Sequence, residues 1–380
     1  MEKGSDVNPI KLLIWKWWRG VDQQLILAVV ILLSLSLLLV TTSSASVANR
    51  IGVHENFFAS RHIFYVTICL FVILFFSSFD EDSIRKYTLL FFIINLVLLA
   101  LVKFIGYEVK GARRWINILG FSLQPSEFIK PFFALLVADI FARFRSRNFS
   151  FLVSLSIYIL VAALLILQPD LGMLITLTGI WGVQLFIAGM PYIWIAVAGV
   201  LIFAGMVLAY NFLPHVTSRI DSFLDPTSSE NYQVSQSLKA FQSGGLFGRG
   251  PGEGVVKNNI PDSHADFIFA VAGEEFGIVI CIFISMVFAF VVLRGILNIA
   301  KNENEFVVIA SSGIIAQFAL QSIINMGVSL NMLPTKGMTL PFISYGGSST
   351  IAVGIAIGIL LALSKARVHQ FNYNIKPLEH

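Results

Sequence analysis

The sequence predicts an all-α polytopic membrane protein with ten transmembrane helices and a large extracytoplasmic loop between the seventh and the eighth. Three observations predict it. Of 380 residues, 56% are hydrophobic and only 13% are charged, too few polar groups to cover a water-soluble surface. The apolar residues, 34 Phe among them, come in long runs of about 17 to 25 rather than in alternation, which favours helices over an outer-membrane barrel. Lys and Arg recur between the runs in a pattern that orients them.

The chain divides into an interfacial N-terminal segment (1–21), a transmembrane domain (22–364) and a C-terminal tail (365–380). In the first, "IKLLIWKWWRG" interleaves Trp15, Trp17 and Trp18 with Lys11, Lys16 and Arg19, the composition of a membrane-surface anchor. The following run, about Leu25 to Val40, precedes "SSASVA", which resembles a cleavage site. The run is longer than the apolar core of a signal peptide and reads as an uncleaved first helix. The ten spans fall near 22–45, 62–79, 87–106, 125–142, 150–168, 171–188, 191–211, 266–293, 305–326 and 341–364. Pro169, in "QPD", separates the fifth from the sixth.

With ten spans, the basic N-terminal segment, the short loop with Arg143, Arg145 and Arg147, and the tail with Lys365, Arg367 and Lys376 share one side. Both termini are therefore expected in the cytoplasm. On the other side, basic residues gather near 103–130 and 219–257. Long loops cross membranes regardless of charge, but the first of these is short, and its charge suggests an anionic partner such as a lipid phosphate. No nucleic-acid partner is expected. Cys69 and Cys281 both lie within apolar runs and read as packing residues.

The loop from about 211 to 265 carries "SGGLFGRGPGEG" (Ser243 to Gly254). Such a run can cradle phosphate with its N–H groups or simply turn tightly. It lacks the Gly-Lys-Ser/Thr ending of a nucleotide-binding loop.

Ionisable and amide groups at membrane depth are costly and mark candidate sites. Glu127 and Lys130, in "QPSEFIKP", sit three apart on one helical face and can pair, either to lock helices or to serve a site. Asp139 reads as structural. Gln317, Gln321 and Asn325 share one face, where interhelical hydrogen bonding is the favoured reading. "GIAIG", Gly354 to Gly358, reads as close helix packing.

The densest constellation is "IPDSHADFIFAVAGEEFG", Ile260 to Gly277, with Asp262, His264, Asp266, Glu274 and Glu275 at the mouth of an apolar run. "SHAD" fits a capping box with Ser263 as N-cap and Asp266 three residues on. Asp266 is equally a carboxylate at the water–lipid boundary, a place suited to a general base. The readings are compatible, because a cap also fixes the carboxylate. One of Glu274 and Glu275 is expected to contact a basic residue such as Lys130.

Six ordered segments together resemble the SEDS family (shape, elongation, division and sporulation). They are "GARRWINILGFSLQPSEFIK", "QPDLG", "RIDSFLDP", "YQVSQSLKAFQSGGLFGRGPGEG", the stretch from Ile260 to Gly277, and "LPTKGMTLPFISYGGSS". The last, with "AVAGEEFG", looks more like the division branch than the elongation branch. The resemblance implies ten helices and a peptidoglycan glycosyltransferase that polymerises lipid II at the outer face of the bacterial inner membrane during septal wall synthesis. It also implies a class B penicillin-binding protein and other divisome proteins as partners. The family's essential aspartate lies in H-T-D-F, here "HADF", which places it at Asp266. Ala265 replaces the usual Thr and removes one hydroxyl.

Joining two sugars needs a base for the acceptor hydroxyl and stabilisation of the leaving group, which in lipid II is a lipid pyrophosphate. Asp266 is the candidate base. Arg114, Lys130, Arg219 and Lys257 are the candidate pyrophosphate ligands, and Trp115 is a candidate to pack on substrate. Glu127, His264, Glu274 and Glu275 complete the candidate substrate-binding set. A divalent cation, Mg or Mn, could assist the leaving group, but no metal-ligand spacing appears. Two other readings remain: a lipid II flippase, which intramembrane charge and the helices meeting at "QPD" would suit, and a non-catalytic divisome scaffold.

Overall fold

The computed structural model describes residues 9–109, 111–118, 120–212, 217, 221, 229–300, 302–334 and 337–373. Twelve helices run through them: α1 (Pro9–Gly20), α2 (Gln23–Ile51), α3 (Phe57–Ser77), α4 (Glu81–Ile105), α5 (Pro125–Arg143), α6 (Arg147–Leu167), α7 (Leu171–Ile187), α8 (Tyr192–Phe212), α9 (Ser229–Gly244), α10 (Ile268–Ile299), α11 (Glu305–Ser329) and α12 (Gly347–Tyr373). Every expected span falls on a helix. Among the described residues, 8 helices are long and apolar enough to cross a membrane. Of the other two segments expected to span, α7 has 17 residues and α5 carries Glu127, Lys130, Asp139 and Arg143 in its apolar length. The chain is a multi-pass membrane protein.

Three features depart from expectation. The segment between α4 and α5 is a small antiparallel sheet, β1 (Tyr107–Val109), β2 (Ala112–Ile118) and β3 (Phe121–Leu123), in the order β1-β2-β3. Gly111 and Gly120, at φ 77° and 83°, make its turns, a backbone region that favours glycine. The long loop is itself structured, with α9 and a 3-10 turn at Val256–Asn259. The last helix begins at Gly347 rather than near 341, because residues 337–346 fold back toward the turn that precedes α10.

α5 is the axis of the bundle. It packs on α4, α7, α11 and α12, and almost all of its residues are buried. Burial on every side explains how a helix with two charges in its first two turns fits. Lys130 Nζ donates to Glu127 Oε2 at 2.6 Å, with side chains 1% and 2% exposed, and also approaches Met173 Sδ at 3.3 Å. A pair so enclosed keeps both ions compensated. Gln184 Nε2 ties α7 to the Ala134 carbonyl of α5 at 2.7 Å and to the Ile309 carbonyl of α11 at 3.2 Å.

The most extensive helix contact joins α12 to α3. Lipid tails offer helices no hydrophobic gain on association, so small residues that allow close approach drive it. A Cβ on Gly354 would come within 2.7 Å of Cys69 Sγ, and one on Gly358 within 2.9 Å of Phe76 Cβ. The "GIAIG" segment is thus a close-packing seam. At the other extreme, α8 lies largely outside the bundle and exposes Tyr192, Ile193, Val200 and Phe203.

Candidate active site

The turn Pro261–Phe267 carries His264 and Asp266. Asp262 adopts φ 54°, a conformation that Asp tolerates better than most residues, and its carbonyl accepts from Ala265 N at 2.9 Å and Asp266 N at 3.1 Å. The three carbonyls from His264 to Asp266 are each held from outside the turn. His264 O accepts from Tyr345 N at 2.9 Å. Ala265 O accepts from Ser344 Oγ at 2.5 Å. Asp266 O accepts from Asn325 Nδ2 at 2.9 Å. The capping box is not formed: α10 starts at Ile268 after Phe267, and Ser263 Oγ is buried without a partner among the described residues. The turn at Asp262 takes up the Asp266 N–H that the cap would have used. Asp266 is fixed by carbonyl tethers instead.

Asp266 is half-buried and forms one wall of a cavity of about 30 Å³, with Gln233, Phe267, Asn325, Val328, Gly337 and Met338. Gly337 has φ 59°, and a Cβ there would sit 3.5 Å from Asp266 Oδ2. The bare glycine keeps the carboxylate approachable. His264 sits to one side, its ring 4.6 Å from Phe58 and 5.1 Å from Tyr345. Burial pushes its pKa down to about 4, with Asp262 opposing and Arg50 adding to the shift, so the ring is neutral near pH 7.

Behind the turn, α10 is broken. Gly277 has φ 79° and ψ −177°, and the glycine-rich loop pairs with the backbone groups around the break. Arg249 N donates to Glu274 O at 3.0 Å and Gly250 N to Glu275 O at 2.9 Å, while Ile278 N donates to Gly245 O at 3.0 Å. Two of the loop's N–H groups, on Arg249 and Gly250, therefore satisfy carbonyls of an interrupted membrane helix rather than standing free for a phosphate. The Glu274 carboxylate accepts from Val255 N at 2.8 Å, Val256 N at 2.7 Å and Lys257 N at 2.7 Å, a charged cap for the 3-10 turn. Lys257 Nζ donates to the Glu275 carboxylate and to Thr42 O at 2.8 Å.

These contacts correct several expectations. The glutamate partner is Lys257, because Lys130 is already closed onto Glu127 within α5. Lys130 and Lys257, expected to hold phosphate, are buried with carboxylate partners and serve the scaffold. Glu127, Glu274 and Glu275 are likewise internal. Arg114 Nε donates to Gln168 O at 2.9 Å and its Nη2 to Pro169 O, clamping β2 to the turn between α6 and α7. Trp115, partly exposed, lies opposite Tyr107 in the sheet. Arg219 lies outside the described residues. No group of three or more His, Cys, Asp or Glu among the described residues is placed to hold a metal ion.

A protein-family model described as "Cell cycle protein", FTSW_RODA_SPOVE, matches residues 23–369. The chain belongs to the FtsW/RodA/SpoVE family. Among its relatives, the probable peptidoglycan glycosyltransferase FtsW of Caulobacter vibrioides is 40% identical over 354 residues, covering 92% of this chain and 91% of that protein. The protein of the same name from Coxiella burnetii is 35% identical over 356 residues, covering 90% and 96%. Two solved structures share the fold. One, from a study of polymerization and crosslinking by a peptidoglycan synthase complex, has a TM-score of 0.77 at 23% identity and covers 91% of this chain and 98% of its own. The other, the rod shape determining protein RodA of Thermus thermophilus, has a TM-score of 0.69 at 24% identity, covering 91% and 97%.

Within this family member, the cavity wall includes three residues that sequence patterning did not mark as site residues: Gln233, Asn325 and Gly337. Asn325 stood out only as one of three amides on a helix face. Its hydrogen bonds run not to a neighbouring helix but to the carbonyls of Asp266 and, at 2.6 Å, Met338.

Proposed function

We propose that this chain is a peptidoglycan glycosyltransferase that polymerises lipid II at the outer face of the bacterial inner membrane, with Asp266 as its general base. The observation that carries the reading is the placement of Asp266: a half-buried carboxylate on a cavity wall, at the junction of the long loop and a membrane helix, tethered through three consecutive backbone carbonyls. Preorganisation of this kind is what a base needs. In the reaction, the acceptor hydroxyl oxygen forms a bond to the donor sugar's anomeric carbon. The bond from that carbon to the lipid pyrophosphate breaks, its electron pair leaves with the pyrophosphate, and the hydroxyl proton passes to Asp266. Of the candidate pyrophosphate ligands, Arg114, whose Nε and Nη2 are held by the Gln168 and Pro169 carbonyls, and Arg219 are kept as proposals, with Trp115 beside Arg114 on β2. The distribution of Lys and Arg supports cytoplasmic termini and an outer loop. The partner is a class B penicillin-binding protein, which fits relatives named as probable peptidoglycan glycosyltransferases FtsW and a fold neighbour from a study of a peptidoglycan synthase complex, alongside other divisome proteins.

The test is polymerisation of lipid II in detergent by the purified chain with its penicillin-binding partner, the partner's transpeptidase blocked. Glycan chains from the wild type and none from a well-folded Asp266→Asn chain are expected. Polymer from Asp266→Asn at the wild-type rate would overturn the base assignment. Lipid transfer across vesicles without polymer would show a flippase instead.

A further inference from the structure

Asn325 is 1% exposed and lines the cavity beside Asp266. Both hydrogens of its amide nitrogen are committed, one to Asp266 O at 2.9 Å and one to Met338 O at 2.6 Å. Two carbonyls on one side of the amide settle its orientation, since the oxygen facing them would be repelled. The remaining atom, Oδ1, is buried with no donor among the described residues. A buried acceptor left unpaired costs about 1–3 kcal/mol, so a hydroxyl that enters the cavity and donates to Oδ1 recovers that cost. The cavity's volume of about 30 Å³ has room for about two water-sized groups.

We propose that the cavity is a two-hydroxyl subsite in which Asp266 takes the proton of the reacting sugar hydroxyl and Asn325 Oδ1 accepts a hydrogen bond from the hydroxyl on the adjacent carbon. The assignment rests on Asp266 being the base. A reacting hydroxyl has one hydrogen, and the base takes it. The second acceptor therefore cannot serve the same oxygen and must read a neighbour. Vicinal hydroxyls of a pyranose present two such groups on one edge, one for each acceptor. Asn325 thereby becomes a specificity-determining residue: it selects an acceptor sugar whose position next to the reacting hydroxyl is itself a free hydroxyl. An ether at that position offers no hydrogen and leaves Oδ1 unpaired, the situation in which polar sites discriminate most strongly. The same amide holds the aspartate's turn and the 337–340 segment together, so the base and the reader move as one unit.

The experiment compares natural lipid II with an analogue in which the terminal N-acetylglucosamine carries hydrogen in place of the hydroxyl next to the reacting one. The full chain is used with its penicillin-binding partner. For the wild type, kcat/KM is expected to fall on the order of tenfold or more on the analogue. For Asn325→Ala, activity on natural lipid II falls and the ratio between the two substrates approaches one, a readout that a purely structural defect does not move. Equal use of both substrates by the wild type, or wild-type discrimination retained by Asn325→Ala, overturns the proposal. Should Asn325→Ala fail to fold, Asn325→Ser, whose hydroxyl can still donate to one carbonyl but is too short to reach the sugar, gives the same ratio test. If Asp266→Asn polymerises normally, the base assignment fails. If Asp266 is required but the ratio is unchanged by substitution at Asn325, only the present inference fails.

Discussion

Lys257 and Glu275 form an ion pair inside the protein, their side chains 4% and 0% exposed, and the pair joins the long loop to the eighth apolar segment. Lys257 also reaches the Thr42 carbonyl of α2 at 2.8 Å, so one ammonium fastens three elements. Removing either partner strands the other as a buried charge. Lys257→Ala and Glu275→Ala are each expected to destabilise by about 3–5 kcal/mol. The double substitution Lys257→Met with Glu275→Leu should lose less than either alone. Thermal unfolding of the four proteins in one detergent measures this, and additive losses would show that the pair is not coupled.

Gly277 breaks α10, and its conformation is one that residues with a side chain rarely adopt. A Cβ there would also meet Leu246 O at 2.2 Å. Gly277→Ala is expected to cost on the order of 3 kcal/mol and to release the glycine-rich loop. Limited proteolysis within 244–254 checks the second effect: cleavage should quicken in the variant. An unchanged rate would mean that the loop holds without the break.

His264 gives stability a pH dependence of known sign. Unfolded, a histidine titrates near 6.5. Folded, burial holds His264 near 4. Between these values the unfolded chain binds a proton that the folded chain does not, so stability is full above about pH 6.5 and falls as pH drops toward 4. The loss is at most about 3 kcal/mol. His264→Phe, which keeps a ring against Phe58 and Tyr345, should flatten this part of the curve of melting temperature against pH. A curve that keeps its slope would assign the dependence to other groups.

Gly337 guards the approach to Asp266. Gly337→Val is expected to lower kcat/KM for lipid II by on the order of tenfold or more by filling the space before the carboxylate. The positive φ adds roughly 1–2 kcal/mol of strain. Gly337→Ala adds positive-φ strain with little bulk, while β-branched Val adds more of both, so melting temperature and kcat/KM measured on the two variants together separate obstruction from destabilisation. Equal activities would favour strain as the cause.

The membrane class and the helix positions were legible along the chain, because a run of apolar residues long enough to span is a local property that needs no partner. The pairing of Glu127 with Lys130 was legible for the same reason: a spacing of three on one helix fixes the contact. The aspartate could be singled out as charge at the mouth of an apolar run, and the ordered motifs around it placed it in its family.

What lay beyond the linear pattern depends on which distant segments meet. Lys257 reads as a free basic residue in a loop until Glu275 and Thr42 enclose it. "SGGLFGRGPGEG" suits a phosphate until its N–H groups find the carbonyls of a broken helix. Asn325 looks like interhelical glue until Asp266 and Met338 claim its nitrogen. Each residue had a chemistry visible in its side chain, but buried polar groups must be paired, and only the tertiary fold decides with whom. For the lysines that pairing removed a candidate ligand; for Asn325 it left one unpaired oxygen beside the aspartate.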